Sequence, residues 1–274
     1  MTATLLRRSA VLAALAATLF ISPSPAAADP AMVTVCSITG FCYCVRKDLL
    51  DDINRNITDV RQAILAQRKK GKLIGYLSIP LSTTGGSYFG VNADVAGATA
   101  KRLQERFGED AVWIMNPATQ GHLPAGASGA EYMYMWTKVL EGGNGLGDDF
   151  TFVYFTGPAS FAQLFKLDGK DDLKKIDDYF DQRLATDTQL QDAVKRGDVS
   201  KTTFRTYYGL RASVSFSYGS HDEWNIARTL NVRRRATPDL GIANQISILF
   251  DGHEVAPAAF EGTIAAGDAG RCVN

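Results

Sequence analysis

In "KDLLDDINRNITDVRQAILAQRKKG" the apolar residues Leu49, Ile53, Ile57, Val60 and Ile64 recur at steps of four, four, three and four. That spacing makes one face of an α-helix, closed by basic residues and Gly71. The apolar run "LIGYLSIPL" follows and reads as a buried strand bounded by "STTGG". Asn92 is placed to cap a second helix, with Val95, Thr99, Leu103 and Phe107 on one side and Gly108 at its end. "AVWIMNP" is the next strand, stopped by Pro117, and "TQGHLPAGASG" is loop. "AEYMYMWTKVLEGG" is a third helix with Met133, Trp136, Val139 and Leu140 at core spacing, and "FTFVYFTGP" is a third strand.

Helix and strand alternate through this half, the pattern of a parallel sheet covered on both faces. A charged helical stretch comes next, with Leu173, Ile176, Phe180 and Leu184 near one face and Asp187 as a cap for a second short helix. It reads as a helical insertion at about residues 168–200. In "ASVSFSYG" the alternation of Val214, Phe216 and Tyr218 with small polar residues favours a strand, with a helix between Gly209 and Gly219 as the alternative. "NQISILFDGHEVAP" reads as a strand, an Asp-Gly turn and a short return. Arg233, Arg234 and Arg235 close the helix before it, where cations suit the dipole. The fold expected is a three-layer, Rossmann-like α/β domain with a mainly parallel sheet and a helical insertion.

The start of the chain changes the compartment. Arg7 and Arg8 precede an apolar run from Ala10 to Ile21, and small residues gather at Ala26, Ala27 and Ala28. This is the layout of a secretory signal peptide over residues 1–28, leaving 29–274 as a single domain. Lys plus Arg and Asp plus Glu both number 29, so no basic excess points to nucleic acid, and no second apolar run points to a membrane once the leader is cut. Cys36, Cys42, Cys44 and Cys272 read as disulfide formers in an exported chain. Cys42 and Cys44 are too close to bond each other easily, so one of them pairs with Cys36 or with Cys272.

Candidate chemistry gathers in "YGSHDEWNIARTLN". Ser220 followed by Glu223 fits a capping box, and the same turn presents His221, Asp222 and Glu223 at a junction where ligands of open α/β sheets bind. No "GxSxG" elbow occurs, and His122, His221 and His253 lie far apart without an "HExxH" pairing. Neither a metal site nor a cofactor is expected.

Two stretches carry a family resemblance. "YLSIP" with its polar loop and helix, followed by "VWIMNPA", resembles the opening β-α-β unit of nucleoside 2-deoxyribosyltransferase-like proteins. "GSHDEWNIA" is similar to that family's Gly-Ser/Thr-x-x-Glu-x-Gly-x-Ala signature, with Gly219, Ser220, Glu223 and Ala227 in place. Ile79 and Asn225 stand where the family has glycine, and a longer segment separates the third strand from the Glu turn. The resemblance implies that Glu223 is a nucleophile toward an N-riboside, with Asp222 or His221 handling the proton of the departing base. Ser82, Thr83, Thr84, Gly85 and Gly86 would then supply amides and hydroxyls to the sugar or a phosphate of a nucleoside-like ligand, Tyr88 and Phe89 would stack on the base, and Ser78 and Asn116 would complete the substrate-binding residues. The competing reading is a non-enzymatic periplasmic or secreted protein that binds a small ligand or an envelope partner in the same crevice.

Overall fold

The computed structural model describes residues 30–81, 84–238, 244–255 and 270–273. The expected leader and its cleavage point lie outside these residues, as do Ser82, Thr83 and the side chain of Thr84. The chain forms an antiparallel hairpin, β1 (Met32–Cys36) and β2 (Cys42–Arg46), and then α1 (Leu50–Lys69) and β3 (Leu73–Ser78). Next come α2 (Phe89–Phe107), β4 (Val112–Met115), α3 (Gly129–Glu141) and β5 (Phe152–Phe155). Four helices follow β5 before the last long one: α4 (Pro158–Phe165), α5 (Asp172–Thr186), α6 (Thr188–Arg196) and α7 (Lys201–Thr206). The chain then enters α8 (Tyr218–Ala236) and finishes its sheet with β6 (Ser247–Phe250) and β7 (His253–Glu254).

The five-stranded sheet runs β4-β3-β5-β6-β7, parallel except for the last pair, and helices flank it. β4 lies on one side of β3 and β5 on the other, so the connection from β3 runs outward to β4 and the next returns across β3 to β5. The strands alternate in what they bury. Ile74, Tyr76, Val153 and Phe155 join one apolar cluster with α1, α3 and α8, whereas Leu77, Phe152 and Tyr154 join another with α2 and the inserted helices.

The predicted helical stripe of α1 is buried at Ile53, Ile57, Val60 and Ile64. Asp187 caps α6 through the amide of Leu190, and Asp251 and Gly252 turn β6 into β7 with positive φ. The basic end of α8 does more than complement a dipole. Arg234 is buried and donates to the carbonyls of Leu146, Gly147 and Asn244 at 2.5–2.7 Å.

Three expectations need correction. Asn92 does not cap α2, which begins at Phe89. It lies buried in the first turn, donating to Ser87 Oγ at 2.6 Å and accepting from Tyr208 Oη at 2.9 Å. The alternating "ASVSFSYG" is no strand: Val214–Phe216 is a short 3₁₀ turn and Tyr218 opens α8. Val214 is buried while Phe216 and Tyr218 are 64% and 77% exposed, so the alternation does not mark one sheet face. The helical insertion extends beyond residue 200, through α7 and a π-helical turn at Tyr207–Arg211.

Both disulfide routes left open in the sequence are used, Cys36 to Cys42 and Cys44 to Cys272. Two such bonds belong to an oxidising, extracytoplasmic compartment. Among the described residues no helix is long and apolar enough to cross a membrane.

Candidate functional site

The register of α8 decides the site. Ser217, three residues earlier than expected, caps the helix by accepting from the Ser220 amide at 3.3 Å. The predicted capping box between Ser220 and Glu223 therefore does not form. A capping box does form at Ser128 and Glu131 on α3, in a stretch whose sequence reads only as loop running into helix. Released from a capping role, Glu223 sits more than a turn inside α8 and turns toward the sheet. Its Oε2 accepts from Ser78 Oγ at 2.5 Å and its Oε1 accepts from the Tyr76 hydroxyl.

Strand geometry explains why both donors reach it. Tyr76 and Ser78 are two apart on β3 and project from the same face. Tyr76 is wedged edge-on against Trp136 and Phe150, with ring centroids 6.1 and 5.9 Å away. The Ser78 carbonyl accepts from the Thr156 amide at 3.1 Å and from its hydroxyl at 3.2 Å, locking the end of β3 to the end of β5. The Val214 amide donates to the Thr156 carbonyl at 3.0 Å, which ties the approach to α8 to the same edge. Glu223 thus lies at the carboxyl end of the strand where the sheet order reverses, the usual ligand position in open α/β sheets.

Burial is the main force on the two adjacent carboxyls. It raises Asp222 to about 6. It raises Glu223 to about 7, helped by the Asp222 charge and opposed by the hydrogen bonds from Ser78 and Tyr76. The pair loses its protons in coupled steps. One ionisation leaves a single charge over the two carboxyls: the hydroxyls of Ser78 and Tyr76 draw it to Glu223, and the deeper burial of Glu223 draws it to Asp222.

The other candidates divide. His221 faces Ser215, its Nε2 at 3.1 Å from that carbonyl, and its buried Nδ1 has no partner among the described residues. The buried Ser220 Oγ likewise has none there. Gly219 packs on α3, where a Cβ would lie 3.1 Å from Met133 Sδ. Gly85 and Gly86 form a turn with φ of 70° and 97°, and a Cβ on Gly86 would fall 2.2 Å from the Thr203 carbonyl oxygen. Gly86 is therefore spent on seating α7. Tyr88 is committed to the insertion, its hydroxyl 2.9 Å from both Asp187 oxygens and its ring beneath the Arg183 guanidinium. Asn116 turns the chain after β4 by accepting from the Ala118 amide at 2.9 Å.

Ser78 and Glu223 are thus brought together, with Asp222 beside Glu223 along α8, while the bonds of Tyr88 and Asn116 lead elsewhere. Tyr76 was missed although the alternation of β3 places it beside Ser78. A polar groove of about 610 Å³ lies at the junction of α5 and α6, lined by Tyr179, Arg183, Asp187 and Thr188. Its guanidinium is already held by Asp94, Tyr179 and Asp187, so the groove offers no free charge to a ligand. Among the described residues no group of three or more His, Cys, Asp and Glu side chains is placed to hold a metal. Comparison of the chain with protein families, with curated proteins and with solved structures finds no match.

Proposed function

We propose that this chain is a periplasmic or secreted, three-layer Rossmann-like α/β enzyme that cleaves or transfers N-glycosidic bonds of nucleoside-like substrates. The observation that carries the reading is the buried Glu223 carboxylate, held by Tyr76 and Ser78 at the carboxyl end of β3. The likeness of "GSHDEWNIA" to the deoxyribosyltransferase-like signature supports it, since the glutamate in question is the signature's own. In the reaction, a Glu223 oxygen attacks the anomeric carbon as the bond to the base nitrogen breaks. Asp222 donates its proton to the departing base. Water or a second base then attacks the same carbon and frees Glu223, and the incoming nucleophile's proton returns to Asp222.

The hydroxyls of Tyr76 and Ser78 orient the nucleophile and favour its ionised form. A second reading, a ligand-binding protein without turnover, draws on the same burial: both Glu223 oxygens are already satisfied, as in a structural carboxylate. Incubation with a panel of nucleosides and nucleotides, with chromatography for free base, separates the two. The enzyme reading expects release by the wild type and loss of about 1000-fold or more in Glu223→Gln, the scale of removing a nucleophile. No release from any substrate favours the binding protein.

A further inference from the structure

Tyr88, the residue expected under a base, is committed to Asp187, so a flat ligand needs another aromatic surface. Phe216 and Tyr218 are more exposed than any other aromatic side chain among the described residues. They stand on either side of Ser217, the cap of α8, on the segment that leads from the sheet edge to Glu223. The backbone beneath them is braced. The Val214 amide reaches the Thr156 carbonyl at the end of β5, and the amides of Phe216 and Ser217 donate to the carbonyls of Ser213 and Val214 at 3.1 and 3.0 Å. His221 Nε2 donates to the Ser215 carbonyl at 3.1 Å and ties the same turn to α8. Two exposed rings on a fixed backbone are a preorganised surface.

Ser217 is extended, with φ −119° and ψ 116°, which sets the Cα atoms of Phe216 and Tyr218 about 6.5 Å apart. A flat ring packed on both faces needs about 7 Å between its neighbours, twice a carbon–carbon contact. Tyr218 and Asp222 are four residues apart on α8 and share one face of it. Asp222 is half-buried there and has no hydrogen-bond partner among the described residues. We propose that Phe216 and Tyr218 bracket the planar base of a nucleoside-like ligand and set its edge against Asp222. The inference rests on the glycosidic reading for the fate of that base, and it names the residues that bind it.

The pair suits a base better than it suits a protein surface. Two aromatic side chains, even fully covered, supply about 300–500 Å², whereas a stable protein interface buries about 800 Å² on each partner. A base needs no more than the two ring faces, and its edge carries nitrogens that accept a hydrogen bond. The protonated Asp222 carboxyl donates to such a nitrogen, the contact that proton transfer to a departing base requires. Only the face of the Tyr218 ring enters the stack, so phenylalanine can replace it.

The test is isothermal titration calorimetry of adenosine and thymidine into Glu223→Gln, in which turnover is suppressed, and into the same protein carrying Phe216→Ala, Tyr218→Ala or Tyr218→Phe. Each alanine is expected to raise Kd about 10-fold or more for at least one nucleoside, the scale of a lost base–aromatic stack, while Tyr218→Phe binds like its parent. Both side chains are exposed, so the variants should keep the fold, and equal melting temperatures check this. Alanine variants that bind both nucleosides as tightly as the parent, or a parent that binds neither, overturn the inference. So does a dimer in sedimentation that Phe216→Ala/Tyr218→Ala dissociates, since the rings would then face a second copy of the chain. Base release absent from the wild type, with nucleoside binding still weakened by the alanines, would sink the glycosidic reading and leave the bracket as the site of a binding protein.

Discussion

At the scale of single residues, Glu223 is the group whose chemistry the fold alters most. Its protonated form is favoured in the folded chain, at about 7 against an ordinary 4.5, because burial outweighs two hydrogen bonds. A carboxyl raised in this way contributes stability that is full below pH 4.5 and is lost as the pH rises through 7. Replacing it with glutamine removes that loss. The unfolding free energy of Glu223→Gln, measured by denaturant titration from about pH 4 to about pH 8, should gain roughly 3 kcal/mol on the wild type and level off near the top. Asp222 is retained in both proteins, so a difference that stays constant with pH would mean that Glu223 does not titrate as the buried group described. Ser78 was legible in the sequence as the end of a strand, and Glu223 as a residue of a helix start. Their meeting was not, because it depends on Ser217 taking the cap and shifting the register of α8.

Among the elements, those with strong periodicity were legible. The α1 stripe, the apolar strands β3 and β5, the cap at Asp187 and the Asp-Gly hairpin all follow from spacing and turn chemistry. The segment before α8 misled because alternation of apolar and small residues is not proof of a sheet neighbour. Here the Val214 amide goes to a strand end, while Phe216 and Tyr218 face outward. The loop after β3 also changes character. Its glycines suggested a ligand cradle, but Gly86 lies against the backbone of α7 and the loop anchors the inserted helices. Gly86→Ala should lower the melting temperature more than Gly85→Ala. Both alanines would carry the cost of positive φ, about 1 kcal/mol, but only the first would meet a backbone carbonyl, adding about 1–3 kcal/mol. Equal losses, read by thermal unfolding, would deny the contact between this loop and α7.

Taken as a whole, the molecule is stapled by two disulfides of very different span. The bond from Cys44 to Cys272 spans 228 residues of sequence, whereas that from Cys36 to Cys42 spans 6. By chain entropy the first should remove about 5 kcal/mol of unfolded-state freedom and the second about 2 kcal/mol. Denaturant unfolding of Cys44→Ser/Cys272→Ser should therefore show the larger loss, and the reverse order would mean that the long bond does not constrain the unfolded chain. The central claim, however, concerns the carboxylate at the sheet edge. It is tested most directly by quenching the wild type during incubation with nucleosides and weighing its proteolytic peptides. The account predicts that the peptide carrying Glu223 gains one glycosyl group. Base release with that group on another residue, or with Glu223 unmodified and Glu223→Gln as fast as the wild type, would contradict it.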